Sequence, residues 1–382
     1  MKLALGVAAS VLLVIGCATT QVSEVTETET AKHEPCKRYY DFGFEYLKNG
    51  SYKDAVVNFR RAVECSTDYV EAWIGLSQSF AQKGDMDSAE SVLARAVLDV
   101  PGSPAIHCLR GRLCIDKKEF DRAAEYYMMA LSIDSLNFNA VFGIGYTYHK
   151  MGELEKAIGY YSRAKTIDPE DTACRFKLGE ALMELSRFDE ALEELEYVVR
   201  KHPDDIEARK TLAETYMDPK VEKYNKALVQ FQAIVESQPD DIQGLLGVGR
   251  ASTKLKKYST AEKAFNQARS IAPEDPAPLY YLAEMYVTRE KLSSARKLLD
   301  EALARNFNNE VPFQVLYGDL YFKYGLSYYN DGQYDQSIDM YEKCITKYRK
   351  AVNDPTYGGY ANNQINRAKA RIEKIQLEEE GF

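Results

Sequence analysis

Residues 70–103 read VEAWIGLSQSFAQKGDMDSAESVLARAVLDVPGS, and three small residues in this stretch, Ser77, Ala89 and Ala96, stand twelve and then seven positions apart. Large apolar residues accompany them at helical spacing: Trp73, Leu76 and Phe80 ahead of Gly84, Met86 and Leu93 after it. Residues three and four apart share one helix face, and two short antiparallel helices approach closely only where the facing side chains are small. The stretch therefore predicts a helical hairpin. Pro101 ends its second helix, because proline has no amide hydrogen and clashes with the preceding turn.

The same layout recurs along the chain. The first small position returns as Gly43, Ser77, Gly111, Gly145, Gly179, Ala213, Gly249, Ala283 and Gly325, mostly at intervals of 34. Length alone would suggest two or three domains for 382 residues, but self-similarity at this period points to one repeat array. Nine units cover 36–351: 36–69, 70–103, 104–137, 138–171, 172–205, 206–241, 242–275, 276–309 and 318–351. At one phase of the repeat Pro169, Pro203, Pro239 and Pro273 each precede an Asp two residues on, which can cap the next helix. Extra residues enter around Asp218-Pro219-Lys220 and from Asn308 to Gln314. They read as kinks in the array, with binding loops as the other reading. Residues 352–382 hold a last amphipathic helix running to about Glu380, a polar-faced cap for the array. Tyr is abundant, 28 against one Trp, and the repeat assigns most of it to the hairpin core, Tyr39 and Tyr46 included, beside Phe42.

This layout resembles the tetratricopeptide repeat. The family's Trp, Leu, Gly, Tyr, Gly, Tyr, Ala, Phe, Ala, Pro series is matched by Trp73, Leu76, Ser77, Phe80, Gly84, Met86, Ala89, Leu93, Ala96 and Pro101. The resemblance implies an all-α fold: a right-handed superhelical solenoid of about nine hairpins with a C-terminal capping helix. It also implies a concave surface lined by the first helix of each unit at positions two, five, nine, twelve and thirteen. Carried onto this chain, those positions hold Tyr40, Phe44, Phe142, Tyr146, Phe176, Tyr280, Phe322 and Tyr329. Exposed aromatics in a groove are what a peptide or helix partner uses as anchors, and packing between neighbouring units is the alternative use of the same rings. Lys37, Lys48, Arg112 and Lys150 give way along the groove to Glu180, Glu184, Glu207, Glu214 and Asp218, an acidic middle that favours a basic or amine-bearing partner.

The N-terminus carries a different signal. An apolar run from Leu3 to Ile15 is too short to span a bilayer and fits a signal h-region. It ends Val14-Ile15-Gly16-Cys17, which resembles the bacterial lipobox, so residues 1–16 read as a lipoprotein signal peptide and Cys17 as the acylated residue. Ala18 after it resembles the outer-membrane sorting signal. Up to residue 35 the chain is rich in Thr and Glu, without an aromatic, and reads as a disordered tether. The expected place is a bacterial membrane, on the outer membrane's periplasmic side, with other envelope proteins as partners.

Several function classes are disfavoured. A net charge of −9 argues against a nucleic-acid partner, as it does against the 35-residue helical repeats that read RNA. There is no HExxH, Gly-rich phosphate loop or paired CxxC, so no catalytic site, metal, cofactor or small-molecule substrate is expected. His149, the one His on a groove position, reads as a solvated side chain. Cys36 and Cys65 fall at the same end of the first hairpin, where an oxidising compartment permits a disulfide and a reducing one leaves two thiols. Cys108, Cys114, Cys174 and Cys344 read as small packed residues. Two roles stay open at this point: a lipid-anchored interaction scaffold, helping to assemble a pilus, secretion or outer-membrane complex, and a regulator of a cell-wall enzyme.

Overall fold

The computed structural model describes residues 34–305 and 310–379. The leader, Cys17 and the tether up to residue 33 lie outside the described residues. Among the described residues there are nineteen helices and no strand. The chain divides into two compact units that meet at Ser186 and Arg187. In the first, α1 (Glu34–Lys48) pairs with α2 (Tyr52–Cys65), α3 (Val70–Gln82) with α4 (Met86–Asp99), α5 (Pro104–Asp116) with α6 (Phe120–Ile133), and α7 (Phe138–Lys150) with α8 (Leu154–Ile167). The last helix of this unit, α9 (Thr172–Glu184), packs on α8. The second unit runs through α10 (Phe188–Lys201), α11 (Ile206–Met217), α12 (Tyr224–Ser237), α13 (Ile242–Lys254), α14 (Tyr258–Ile271), α15 (Ala277–Thr288), α16 (Leu292–Ala304), α17 (Val311–Asn330), α18 (Tyr334–Tyr348) and α19 (Gly358–Glu379). Within each unit consecutive helices pack on one another, as a solenoid of helical hairpins requires.

Local chemistry sets the helix ends. The Asp171, Asp205 and Asp241 side chains accept from the backbone amides of Cys174, Ala208 and Gly244, satisfying a donor that the helix itself leaves open. Between paired helices the chain reverses through a residue in the left-handed region, Gly84 at φ 88° and Gly152 at φ 77°, where a side chain would be strained. Lys118 and Lys256 take up the same conformation in other hairpins.

The core is a set of rings seated in small-residue cradles. Phe59 of α2 is fully buried between Gly43 of α1 and Gly75 of α3, where a Cβ would come within 2.8 and 2.4 Å of the ring. Tyr127 of α6 sits in the same way between Gly111 and Gly143. In the second unit, Phe231 lies against Gly247 and Phe265 against Gly249, each with room for no more than hydrogen. Removing such a ring from water contributes about 2–3 kcal/mol.

Four features depart from the sequence reading or refine it. Tyr39, Phe42 and Tyr46 of α1 are exposed, at 37, 41 and 40%, and are not core residues. Their counterparts in the next hairpin, Trp73 and Leu76, share a buried cluster with Phe59 and Ala62 of α2, whereas no described helix precedes α1. The residues entering before the ninth unit form neither kink nor loop over their described part. They extend α17 back to Val311, burying Phe313, Leu316 and Tyr317, and the Tyr317 hydroxyl donates to the Leu299 carbonyl at 2.7 Å. The two extra residues of the sixth unit lengthen the turn between α11 and α12, which the Asp218 carbonyl closes by accepting from Val221 and Glu222. Cys36 and Cys65 are joined in a disulfide across a Cα separation of 5.6 Å, closing the first hairpin at one end.

Candidate functional site

The first unit gathers its groove residues around Tyr161, a fully buried ring of α8. Phe142 of α7 lies 5.6 Å from that ring and stacks on Phe138 at 5.9 Å. One turn on, Tyr146 carries the Lys150 ammonium 5.2 Å over its face, and Phe176 of α9 carries Lys177 at the same distance. Lys177 also pairs with Glu180 at 2.6 Å. His149 completes the patch: its Nε2 is 2.9 Å from Glu184, and its Nδ1 is 3.4 Å from the Tyr161 hydroxyl. Burial first, then the charges of Glu180 and Glu184 among others, holds the Tyr161 phenol well above its ordinary pKa, so it remains a neutral donor. Helix spacing explains the assembly. Phe142, Tyr146 and His149 lie on one face of α7, and Phe176, Glu180 and Glu184 lie on one face of α9, which packs beside it.

The other residue pair read onto the first unit sits on α1. Tyr40 is partly buried against Phe59 and Tyr69, with ring centroids 5.6 and 5.2 Å away, while Phe44 stacks on its outer side and is 52% exposed.

In the second unit Glu214 of α11 bonds Arg250 of α13 at 2.7 Å, and that guanidinium lies 5.6 Å over Tyr281. Tyr280 meets Tyr281 and Phe313 edge-on at 5.3 and 5.6 Å. Phe322 and Tyr329 are not open groove residues. Phe322 is 8% exposed, against Tyr341 and beneath Arg367 of α19. The Tyr329 hydroxyl donates to Glu378 at 3.0 Å, with Lys374 over its ring. The capping helix lies where the first helix of a further hairpin would pack, and so covers both.

The acidic groove positions of each unit are also less bare than the sequence suggests. Glu180, Glu184 and Glu214 each have a basic or imidazole neighbour within 3 Å. Solvent-facing pairs of this kind contribute under about 1 kcal/mol each, so a partner's charges can exchange with them.

Two further carboxyls of the second unit, not singled out from the sequence, stand at groove positions. Glu284 of α15 and Asp319 of α17 stand at the ninth and second positions of their units, so the positional rule that names the other groove residues applies to them as well. Asp319 accepts from the hydroxyls of Tyr348 at 2.5 Å and Tyr360 at 2.6 Å. Burial raises the pKa of both carboxyls, opposed in Asp319 by those two donors and in Glu284 by Lys254 and Arg250. The folded state therefore holds these protons more tightly than the unfolded state. Their contribution to stability is present in acid and is lost as pH climbs through the raised values. Glu284→Gln is accordingly expected to raise the melting temperature at neutral pH, with the gain fading as pH falls through the carboxyl's own titration. A difference that stays constant between about pH 4 and 7 would show that Glu284 is under no such strain.

Among the described residues no three His, Cys, Asp or Glu side chains are gathered as metal ligands. Cys108 and Cys344 remain thiols, and burial pushes each up to about 12.

Sequence profiles of the tetratricopeptide repeat match residues 46–113, 108–172, 149–214, 182–247, 252–316 and 319–351. An 85-residue stretch, 22% of the chain, is 33% identical to Protein bimA of Emericella nidulans, and the chain spans 10% of the length of that curated relative. The crystal structure of the C-terminal part of a TPR repeat-containing protein from Cytophaga hutchinsonii superposes with a TM-score of 0.51 at 16% identity, over 64% of this chain and 99% of that one. A tetratricopeptide repeat protein from Parabacteroides merdae gives 0.46 at 17% identity, over 78% of this chain and 98% of its own. At 16% identity the likeness to the Cytophaga hutchinsonii structure is one of fold.

Proposed function

Because the chain belongs to the tetratricopeptide repeat family, a fold that serves as a protein–protein interaction scaffold, we propose that its groove binds peptides or helices of other bacterial envelope proteins and that an acylated Cys17 ties it to the membrane. In this reading the protein faces the periplasm from the outer membrane and assists assembly of a pilus, secretion or outer-membrane complex without catalysing a reaction itself.

The observation that carries the binding role is the patch on α7 and α9. Phe142, Tyr146 and Phe176 are partly open to solvent, cations lie over the faces of the last two, and a His–Glu pair borders them. Aromatic anchors ringed by exchangeable polar groups are what a protein interface places at its centre. The anchor rests on the Val14-Ile15-Gly16-Cys17 sequence and on the Thr- and Glu-rich stretch after it.

Cys17→Ser tests the anchor. The variant is expected to lose its acyl mass and move from the membrane to the soluble fraction on fractionation. Retention of the unacylated variant on membranes would contradict it.

A further inference from the structure

The outer side of α1 is unlike the rest of the first unit. Cys36, Tyr40, Gly43 and Leu47 turn inward to α2 and α3, and Phe44 lies on the groove side. Tyr39, Phe42 and Tyr46, three and four residues apart, form a separate exposed stripe, and the Arg38 guanidinium lies 5.5 Å over Phe42. In the next hairpin the equivalent positions are closed by a preceding helix; here no described helix closes them.

Two observations say what covers this stripe. The first is charge. Between Cys36 and Cys65 the chain holds six Lys or Arg against four Asp or Glu, all exposed, whereas residues 18–35 carry a net −3 and residues 66–382 a net −9. The hairpin is therefore a basic element of an acidic protein. The second is connection. Sixteen residues, 18–33, separate Cys17 from α1 in sequence, so α1 is the described element nearest to the anchor along the chain. Tyr rings bring an apolar body and a polar tip, and such aromatics beside cations favour the boundary between lipid headgroups and acyl chains.

We propose that Tyr39, Phe42 and Tyr46 form a membrane-docking face, seating the first hairpin in the interface of the lipid surface that holds Cys17. The proposal rests on the anchor reading above. Tethering makes the docking effectively intramolecular, so three rings and a few cations suffice where they would bind a free protein weakly. Docked in this way, α1 faces lipid while the patch on α7 and α9, three hairpins along, stays open to partners.

The test uses the acylated full chain on phosphatidylethanolamine vesicles with and without phosphatidylglycerol, with brominated lipids as quencher. On a Trp73→Phe background, which removes the chain's own indole, Phe42→Trp places a fluorophore on the stripe, and Leu98→Trp places one at a position of α4 that is 76% exposed. Emission of Phe42→Trp is expected to be quenched severalfold more than that of Leu98→Trp, and more strongly with phosphatidylglycerol. Tyr39→Ser with Tyr46→Ser on the Phe42→Trp background should remove the difference. Equal quenching at the two positions, on vesicles that do carry the acylated protein, overturns the docking face and leaves the anchor standing. Chain without acyl mass at Cys17 overturns the anchor and the docking with it. Crosslinking of the stripe to a protein, with Phe42→Trp unquenched, assigns the face to a partner helix and overturns the lipid assignment.

Discussion

Phe231→Ala is expected to destabilise the second unit by about 3–5 kcal/mol, the usual cost of deleting a fully packed aromatic. Its neighbour supplies the sharper test. Gly247→Ala replaces a poor helix former with the best one, a change that favours the helix by roughly 1 kcal/mol where nothing opposes it. Here the new Cβ would meet the Phe231 ring at 2.2 Å, and overpacking of this kind costs about 1–3 kcal/mol. Packing should win, so Gly247→Ala is expected to lower the melting temperature despite its helix propensity. Phe231→Leu, itself destabilising, should make Gly247→Ala far better tolerated, because the smaller side chain leaves room for the methyl. Melting of the two single variants and the double variant checks this. Additive losses would show that the ring and the glycine do not touch.

Tyr146→Ala combined with Phe176→Ala is the larger functional prediction. Neither ring is among the fully buried ones, so the fold should survive, with far-ultraviolet circular dichroism and melting close to those of the unsubstituted protein. Partner binding should weaken by roughly tenfold to a thousandfold, the range for removing aromatic anchors from the centre of an interface. Unchanged binding by a folded double variant would remove α7 and α9 from the interface.

The hairpins were legible because their small positions recur in phase: Gly43, Gly111 and Gly145 each announce a close helix approach. A second set, Gly75, Gly143 and Gly247, was not. These glycines make room for Phe59, Tyr127 and Phe231 of the preceding hairpin; all three glycines stand at the sixth position of their units, but other units hold Leu109, Lys177, Thr211 or Tyr281 there, so the position alone does not announce them. End effects were equally hidden. The repeat assigns Tyr39, Phe42 and Tyr46 to a core because it encodes an average unit, whereas burial needs a neighbour on both sides. At the other end Phe322 and Tyr329 obey the groove rule by position, but α19 closes over them. The pairing of Glu184 with His149 links residues 35 apart on different helices, a register set by packing and not by local sequence.

Binding of a partner chain at the patch on α7 and α9 is open to direct observation. Site-specific photo-crosslinking in intact cells tests it most directly, with the crosslinker at Phe176 and, as a reference, at Met129, an exposed residue of α6. A discrete protein adduct is expected at Phe176, lost with Tyr146→Ala, and none at Met129. Absence of any adduct at Phe176, or the same adducts at both positions, would contradict it.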